Sequence, residues 1–390
     1  MNDSVRPPDG DSEIEALNDI LCSVFTFPRE RGRPYLESAG LRNARVALEA
    51  RQIAGGMVTL PMGQWFGGNS VPCIGIAAVG IAPEFRARGV ATRLLRAELE
   101  ALHAASVPIS SLYPATQPVY RRLGYEIAGT DFEARLSTAA IDVRDRAPVL
   151  RRAEPNDESA IRAIYSNFAR RTHGNLDRSE FFWGRVREWR GEPAHGYVVC
   201  RGDVVEGYLF HVQKPSSPGF HMLQLTDWAV LTPAAGRRFL TFFADHRSQH
   251  DAVSFDTGPG DPLLTLLTEQ SFKLTSKTYW MMRIVHVAAA LTARGYPDGL
   301  SAEVHLDVND DVLPGNHRRY VLTVERGGAS VASGGRGSIR VDIRGLAALY
   351  SSYLSPHALR LSGYLDGPDE ELHRLAGIFA GPAPWMRDNF

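Results

Sequence analysis

Apolar positions recur at helical spacing after two short, acidic openings in the chain. The first, Val5-Arg6-Pro7-Pro8-Asp9-Gly10-Asp11-Ser12-Glu13, leads into Ile14, Leu17, Ile20 and Leu21 on one helix face. The second, Leu150-Arg151-Arg152-Ala153-Glu154-Pro155-Asn156-Asp157-Glu158, leads into Ile161, Ile164, Tyr165 and Phe168. Each predicts a short strand, a capped turn and an amphipathic helix, with Asp9-Gly10-Asp11 read as the cap of the first. About 145 residues separate them. Further in, the apolar run at 74–83 stops at Pro83 and enters a helical pattern through Leu94, Leu95 and Leu99. Its counterpart at 223–233 stops at Pro233 and enters one through Phe239, Leu240 and Phe243. A strand, a proline and a helix in the same order twice predict a duplicated α/β unit.

From about His286 the pattern changes. Strand-like runs at 302–308, 319–325 and 338–343 are broken by Gly/Asn/Asp turns, and helical stretches follow at 344–354 and 369–379. This predicts an α+β third domain. Gly327-Gly328 and Gly334-Gly335 read as hairpin turns within it. The basic stretch 144–152 is broken by Asp145 and Pro148 and reads as a solvated linker. Residues 382–390 carry two aromatics and two prolines, unlike a frayed end, and are expected to pack.

Length agrees with this division. At about 150 residues per domain, 390 residues make two or three domains, and the pattern assigns 1–146, 147–285 and 286–390. The 43 basic and 44 acidic residues give a formal charge of −1. That balance excludes a protein built to coat nucleic acid or an anionic membrane. Cys22, Cys73 and Cys200 are too few and too scattered for a disulfide framework or a zinc site. The opening residues show no secretory pattern, and the apolar run 71–83 is too short to span a bilayer. A cytoplasmic protein without a metal is expected, its histidines being core or surface residues.

Candidate chemistry lies in residues 79–95, VGIAPEFRARGVATRLL. Arg86-Ala87-Arg88-Gly89-Val90-Ala91 fits R-x-x-G-x-G/A between a strand and a helix. Free N–H groups at a helix start, a positive dipole end, a glycine allowing close approach and two arginines make a cradle for a diphosphate. Some thirty residues later Pro118-Val119-Tyr120-Arg121-Arg122-Leu123-Gly124-Tyr125-Glu126 supplies a Y-x-x-x-G-[FY] element on a short helix.

These two motifs, in this order and spacing, resemble the GNAT N-acetyltransferases. With a second copy that lacks the R-x-x-G-x-G/A turn (Thr232 to Arg238), a third domain like sterol carrier protein, and an aromatic last residue, the whole chain resembles the Eis family. The resemblance implies tandem GNAT domains, the first active and the second degenerate, followed by a sterol-carrier-like α+β domain. It implies acetyl-CoA as cosubstrate, a small-molecule amine as acceptor and assembly as a homohexamer. Carried over residue by residue, Val79, Gly80 and Ile81 take the thioester and pantetheine arm. Arg86, Ala87, Arg88, Gly89, Val90, Ala91 and Thr92 take the pyrophosphate, and Ala115 and Thr116 line the cofactor.

Acetyl transfer needs a neutral amine, a stabilised oxyanion and a protonated leaving thiolate. The resemblance makes Tyr120 the general acid and the carboxylate of Phe390 the base. A carboxylate of pKa about 3.5 is a weak base, so orienting a cationic amine is its main expected work. Two alternatives remain: a ligand-binding protein with a vestigial GNAT domain, and a transferase using a longer acyl donor. Asn389 and the apolar and basic segment 24–31 argue against a strong preference for polycationic aminoglycosides.

Overall fold

The computed structural model describes residues 5–390. The first copy runs β1 (Val5–Arg6), α1 (Gly10–Phe25), α2 (Arg29–Ala39), β2 (Ala44–Glu49), β3 (Gln52–Phe66), β4 (Asn69–Ile81), α3 (Val90–Ala104), β5 (Ile109–Leu112), α4 (Gln117–Arg121) and β6 (Glu126–Ser137). α1 buries Ile14, Leu17 and Leu21, as its spacing predicts. Its start is held differently from expectation. Asp9 makes no side-chain cap; Glu13, gripped by Arg6 at 2.6 and 2.7 Å, accepts the Asp9 N–H instead. β3 and β4 form a long hairpin whose two-residue turn, Gly67-Gly68, has φ of 60° and 86°. Glycine takes two such angles in succession at little steric cost.

The second copy runs β7 (Val149–Arg152), α5 (Glu158–Ala169), β8 (Leu176–Asp177), α6 (Glu180–Val186), β9 (Glu188–Trp189), β10 (Glu192–Pro193), β11 (His195–Arg201), β12 (Val204–Ser217), β13 (Phe220–Val230), α7 (Pro233–Asp245), β14 (His250–Thr257) and β15 (Phe272–Ile284). The third part runs α8 (Val287–Ala293), β16 (Ala302–Asn309), β17 (Arg318–Glu325), β18 (Gly328–Ser333), β19 (Ile339–Asp342), α9 (Ile343–Tyr350), α10 (Pro356–Leu361), β20 (Leu365–Asp366) and α11 (Asp369–Ile378). Its sheet is ordered β18-β17-β16-β19-β20. Gly327 makes the β17–β18 turn as expected. Gly334 and Gly335 do not make a hairpin: β19 pairs parallel to β16, so they lie in a crossover loop.

These parts form two compact units. One comprises the described residues up to Gly129, Tyr279–Pro382 and Asn389–Phe390; the other comprises Thr130–Thr278 and Ala383–Asp388. In the first, β1 to β5 pair in sequence order, with β4 parallel to β5, and residues 281–284 of β15 close the sheet antiparallel to β5. In the second the order is β7-β11-β12-β13-β14, with β13 parallel to β14, and residues 132–137 of β6 close it antiparallel to β14. The two sheets share one topology, and each takes its closing strand from the other copy's stretch of sequence. The first unit's core joins α3 (Leu94, Leu95, Leu99) to Met57, Ile76, Leu112 and Tyr125. The second joins α7 (Phe239, Leu240, Phe243) to Leu223, Val253 and Phe255.

No helix among the described residues is long and apolar enough to cross a membrane. No group of His, Cys, Asp or Glu among them could hold a metal ion. The histidines are less scattered than the sequence suggests. His195 lies 5.5 Å from His211, and His246 and His221 lie 5.5 and 6.2 Å from His250, ring to ring. His211 and His250 are buried with no partner at either ring nitrogen.

Candidate active site

β4 and β5 pair at only three positions, Cys73–Ile109, Ile74–Ser110 and Gly75–Ser111. β5 ends one residue later, whereas β4 runs on to Ile81. From Ile76 onward, then, β4 has a strand partner on its β3 side alone. An unpaired edge of N–H and C=O groups binds an extended, amide-bearing chain by adding it as a strand. A bulge shapes this edge: Gly56 faces Gly80 and Val58 faces Ala77, leaving Ala78 at φ 50°. Such a bulge bends and twists a strand locally. Val79, Gly80 and Ile81 follow it directly. α1 covers Gly80 so closely that a Cβ there would lie 2.8 Å from Leu21.

Beyond β4, a 3₁₀ turn at Pro83–Phe85 delivers residues 86–89 to the start of α3. Ala87 and Gly89 have φ of 61° and 76°. α3 has no side-chain cap and no acidic residue in its first turn. Its first intrahelical bond is Arg93 N–H to Gly89 O, so the amides of Val90, Ala91 and Thr92 lie ahead of the ladder. A Cβ on Gly89 would meet nothing nearer than Arg93 at 3.9 Å, so the site is open as well as positively polarised. Arg86 and Arg88 are exposed, and Arg86 reaches back to Ile81 O at 3.3 Å. Motif reading missed Arg93. It donates to Arg88 O at 3.0 Å and pairs with Glu49 at 3.4 Å, bracing the turn from one helical turn downstream. These features fit a diphosphate on a thin, amide-containing arm.

Tyr120 sits on α4 within the core, 8 % exposed, its ring edge-on to Tyr125 at 6.0 Å. Tyr125 is fixed by a 2.8 Å bond between its hydroxyl and that of Ser110 on β5. The Arg121–Glu126 pair, 2.7 Å apart, ties α4 to β6. Burial raises the Tyr120 pKa, which keeps its phenol protonated at neutral pH. Ala115 and Thr116 are exposed between β5 and α4, and Thr116 lends no side-chain cap to α4.

Phe390 lies where β4 and β5 part. A Cβ on Gly75, the last paired residue of β4, would stand 2.8 and 3.2 Å from two carbons of its ring. The ring of Tyr113, just past β5, meets it edge-on at 5.8 Å. The unpaired edge of β4 thus runs from beneath Phe390 to the arginine turn. Gly75 carried no legible signal, since its partner stands 315 positions away.

The second copy's equivalent helix start differs. Thr232 caps α7 through the Ala235 N–H at 3.2 Å, and its hydroxyl donates to Glu206 at 2.8 Å. Pro233 removes another amide donor. A capped end beside a carboxylate repels a diphosphate.

Comparison with known proteins agrees with this geometry. Residues 5–128 and 174–284 each match a model described as an acetyltransferase (GNAT) domain, and residues 287–387 match a sterol carrier protein domain. A solved GCN5-related N-acetyltransferase from Anabaena variabilis is 39 % identical, covers 99 % of this chain and 100 % of its own, and superposes with a TM-score of 0.95. An uncharacterized N-acetyltransferase of Streptomyces avermitilis is 28 % identical over 363 residues, 85 % of this chain and 84 % of its own. The N-acetyltransferase Eis of Mycobacterium tuberculosis is 26 % identical over 339 residues, 80 % of this chain and 79 % of its own.

Proposed function

This chain belongs to the Eis family of GCN5-related N-acetyltransferases, and from that premise we propose that it moves acetyl from acetyl-CoA directly to a primary amine of a small molecule, aminoglycoside-like or other. The observation that carries the reading is the one-sided edge of β4, leading from Phe390 to the uncapped start of α3. Six residues of strand span roughly 20 Å, room for an extended arm between a reacting thioester and a diphosphate.

Acetyl-CoA supplies the activated acyl group. Arg86 and Arg88, with the amides of the 87–92 turn, hold its diphosphate. Val79, Gly80 and Ile81 bind the arm through their backbone, and an N–H after the bulge donates to the oxygen that gains charge as the amine attacks. Ala115 and Thr116 border the arm from the β5 side. Tyr120 gives its proton to the departing sulfur. The Phe390 carboxylate, at the last residue of this sequence, orients the amine and takes its proton directly or through water. The products are an N-acetylamine and CoA thiol.

A panel of primary amines, each followed by release of CoA thiol, tests this reading. Turnover with at least one small amine is expected; acetyl-CoA binding with no turnover on any would overturn it. The domain limits 1–146, 147–285 and 286–390, a cytoplasmic location and a homohexamer complete the proposal. Light scattering that returns a monomer would remove the last.

A further inference from the structure

In the second unit β13 and β14 pair from His221–His250 to Gln224–Ser254 and then part, as β4 and β5 do after Gly75–Ser111. The helix that follows β13 is capped against diphosphate, and the chain's own residues 383–388 pack just past the end of β14, with Trp385 bridged to Thr130 at the β6 strand. Trp385 packs where a Cβ on Gly258 would stand, 2.5 Å from the indole, at the end of β14. Its N–H donates to His173 O at 2.9 Å, and Met386 N–H donates to Thr130 O at 3.2 Å. Arg387 donates to the carbonyl of Trp228 on β13. The peptide's backbone bonds thus run to Thr130 of β6 and to His173, and it reaches β13 through the Arg387 side chain.

Four buried charges fix this peptide. Arg178, its side chain fully buried, grips Asp227 with both terminal nitrogens at 2.6 and 3.0 Å and turns its Nε to Asp388 at 3.0 Å. Arg387 shares Asp227 Oδ1 with Arg178, at 3.1 Å. The hydroxyl of Tyr165 donates to Asp388 at 3.2 Å. Burying two ion pairs is no efficient route to stability, because desolvation offsets the attraction and apolar residues would serve as well. What such a cluster gives is register. Sliding the peptide by one residue would set Arg387 against Arg178 and leave a carboxylate unpaired, a large cost in a dry site.

We propose that the second GNAT copy is a register lock for the C-terminal peptide, in which Arg178 and Asp227 act through Asp388 and Arg387 as positioning residues for the carboxylate of Phe390. The proposal rests on the reading of Phe390 given above. Only Asn389 separates the locked Asp388 from Phe390, so the lock leaves the terminal residue little freedom along the chain.

Two full-length variants test it, with carboxypeptidase A release of Phe390 as the readout that turnover does not influence. Asp388→Asn keeps shape and removes one charge from Arg178. Phe390 release at least tenfold faster than wild type is expected, with unchanged affinity for acetyl-CoA by calorimetry and a lower kcat. Should that variant not fold, Arg387→Met keeps the stem's packing and removes the charge facing Asp227, with the same expectation. A glycine inserted between Asp388 and Asn389 leaves the lock intact but misplaces Phe390; unchanged melting temperature with at least a tenfold loss of kcat is expected. Wild-type release from Asp388→Asn or Arg387→Met overturns the lock, whatever turnover does. Faster release with undiminished kcat supports the lock and overturns the role given to the Phe390 carboxylate.

Discussion

Gly75→Ala is a one-carbon perturbation aimed at the junction of cofactor edge and terminal residue. Nothing in the backbone forbids alanine, since Gly75 lies in a strand and is not among the positive-φ glycines. The obstacle is the ring of Phe390, 2.8 Å from the added methyl at one carbon and 3.2 Å at another, with Met62 also at 3.2 Å. Carbon atoms rest at about 3.5–4.0 Å, so the ring must retreat by about 1 Å. Overpacking a rigid core by a methylene costs about 1–3 kcal/mol. Here the obstructing ring is only half-buried and can turn aside about its own side-chain torsions, so the melting temperature should change little. A displacement of about 1 Å at a reacting group costs up to about 10²-fold in rate. Gly75→Ala should therefore lose about 10- to 100-fold in kcat, followed by CoA thiol release, while calorimetry gives wild-type affinity for acetyl-CoA. Full kcat with intact folding would refute the placement of Phe390 at the chemistry. Loss of acetyl-CoA binding would mean that the methyl blocks the arm, not the carboxylate.

Tyr120→Phe should lower kcat by about 10²- to 10³-fold, the usual worth of a positioned general acid, with acetyl-CoA affinity unchanged; activity within twofold of wild type would assign Tyr120 to packing alone. Appending a few residues after Phe390 should abolish turnover and spare acetyl-CoA binding, and undiminished kcat would rule out a role for the carboxylate. Acid should destabilise the second unit through His211, whose pKa is pushed from 6.5 to about 4 by burial first and by His195 and His246 next. A base whose folded pKa lies below its unfolded one lends stability above pH 6.5 and loses it as pH falls towards 4. The gap is worth about 3 kcal/mol. His211→Phe should therefore flatten the decline in melting temperature between pH 6.5 and 4; an unchanged decline would place the acid sensitivity elsewhere.

Much of this site can be read from the chain. The R-x-x-G-x-A turn, the Tyr120 helix and the repeated strand-proline-helix are local patterns, and local hydrogen bonding makes them legible. The parts that stayed hidden depend on pairing at long range. β6 and β15 look like any alternating strands, and nothing in their spacing says that each closes the sheet of the other copy. The three-position pairing of β4 with β5, which creates the open edge, is equally silent. Arg178 and Asp227 carry no motif; their meaning appears once Arg387 and Asp388 fold back 160 or more positions to meet them. Glu13 displaced the expected Asp9 cap because Arg6 holds its carboxylate over the helix start, a three-residue arrangement that a two-position capping rule does not see.

Calorimetric titration of the full chain with acetyl-CoA tests the central claim, that the first copy alone kept a cofactor site. One molecule bound per chain is predicted, falling to none when Gly89→Val, at φ 76°, distorts the turn at the start of α3. Two molecules per chain, or one that survives Gly89→Val, would contradict the account.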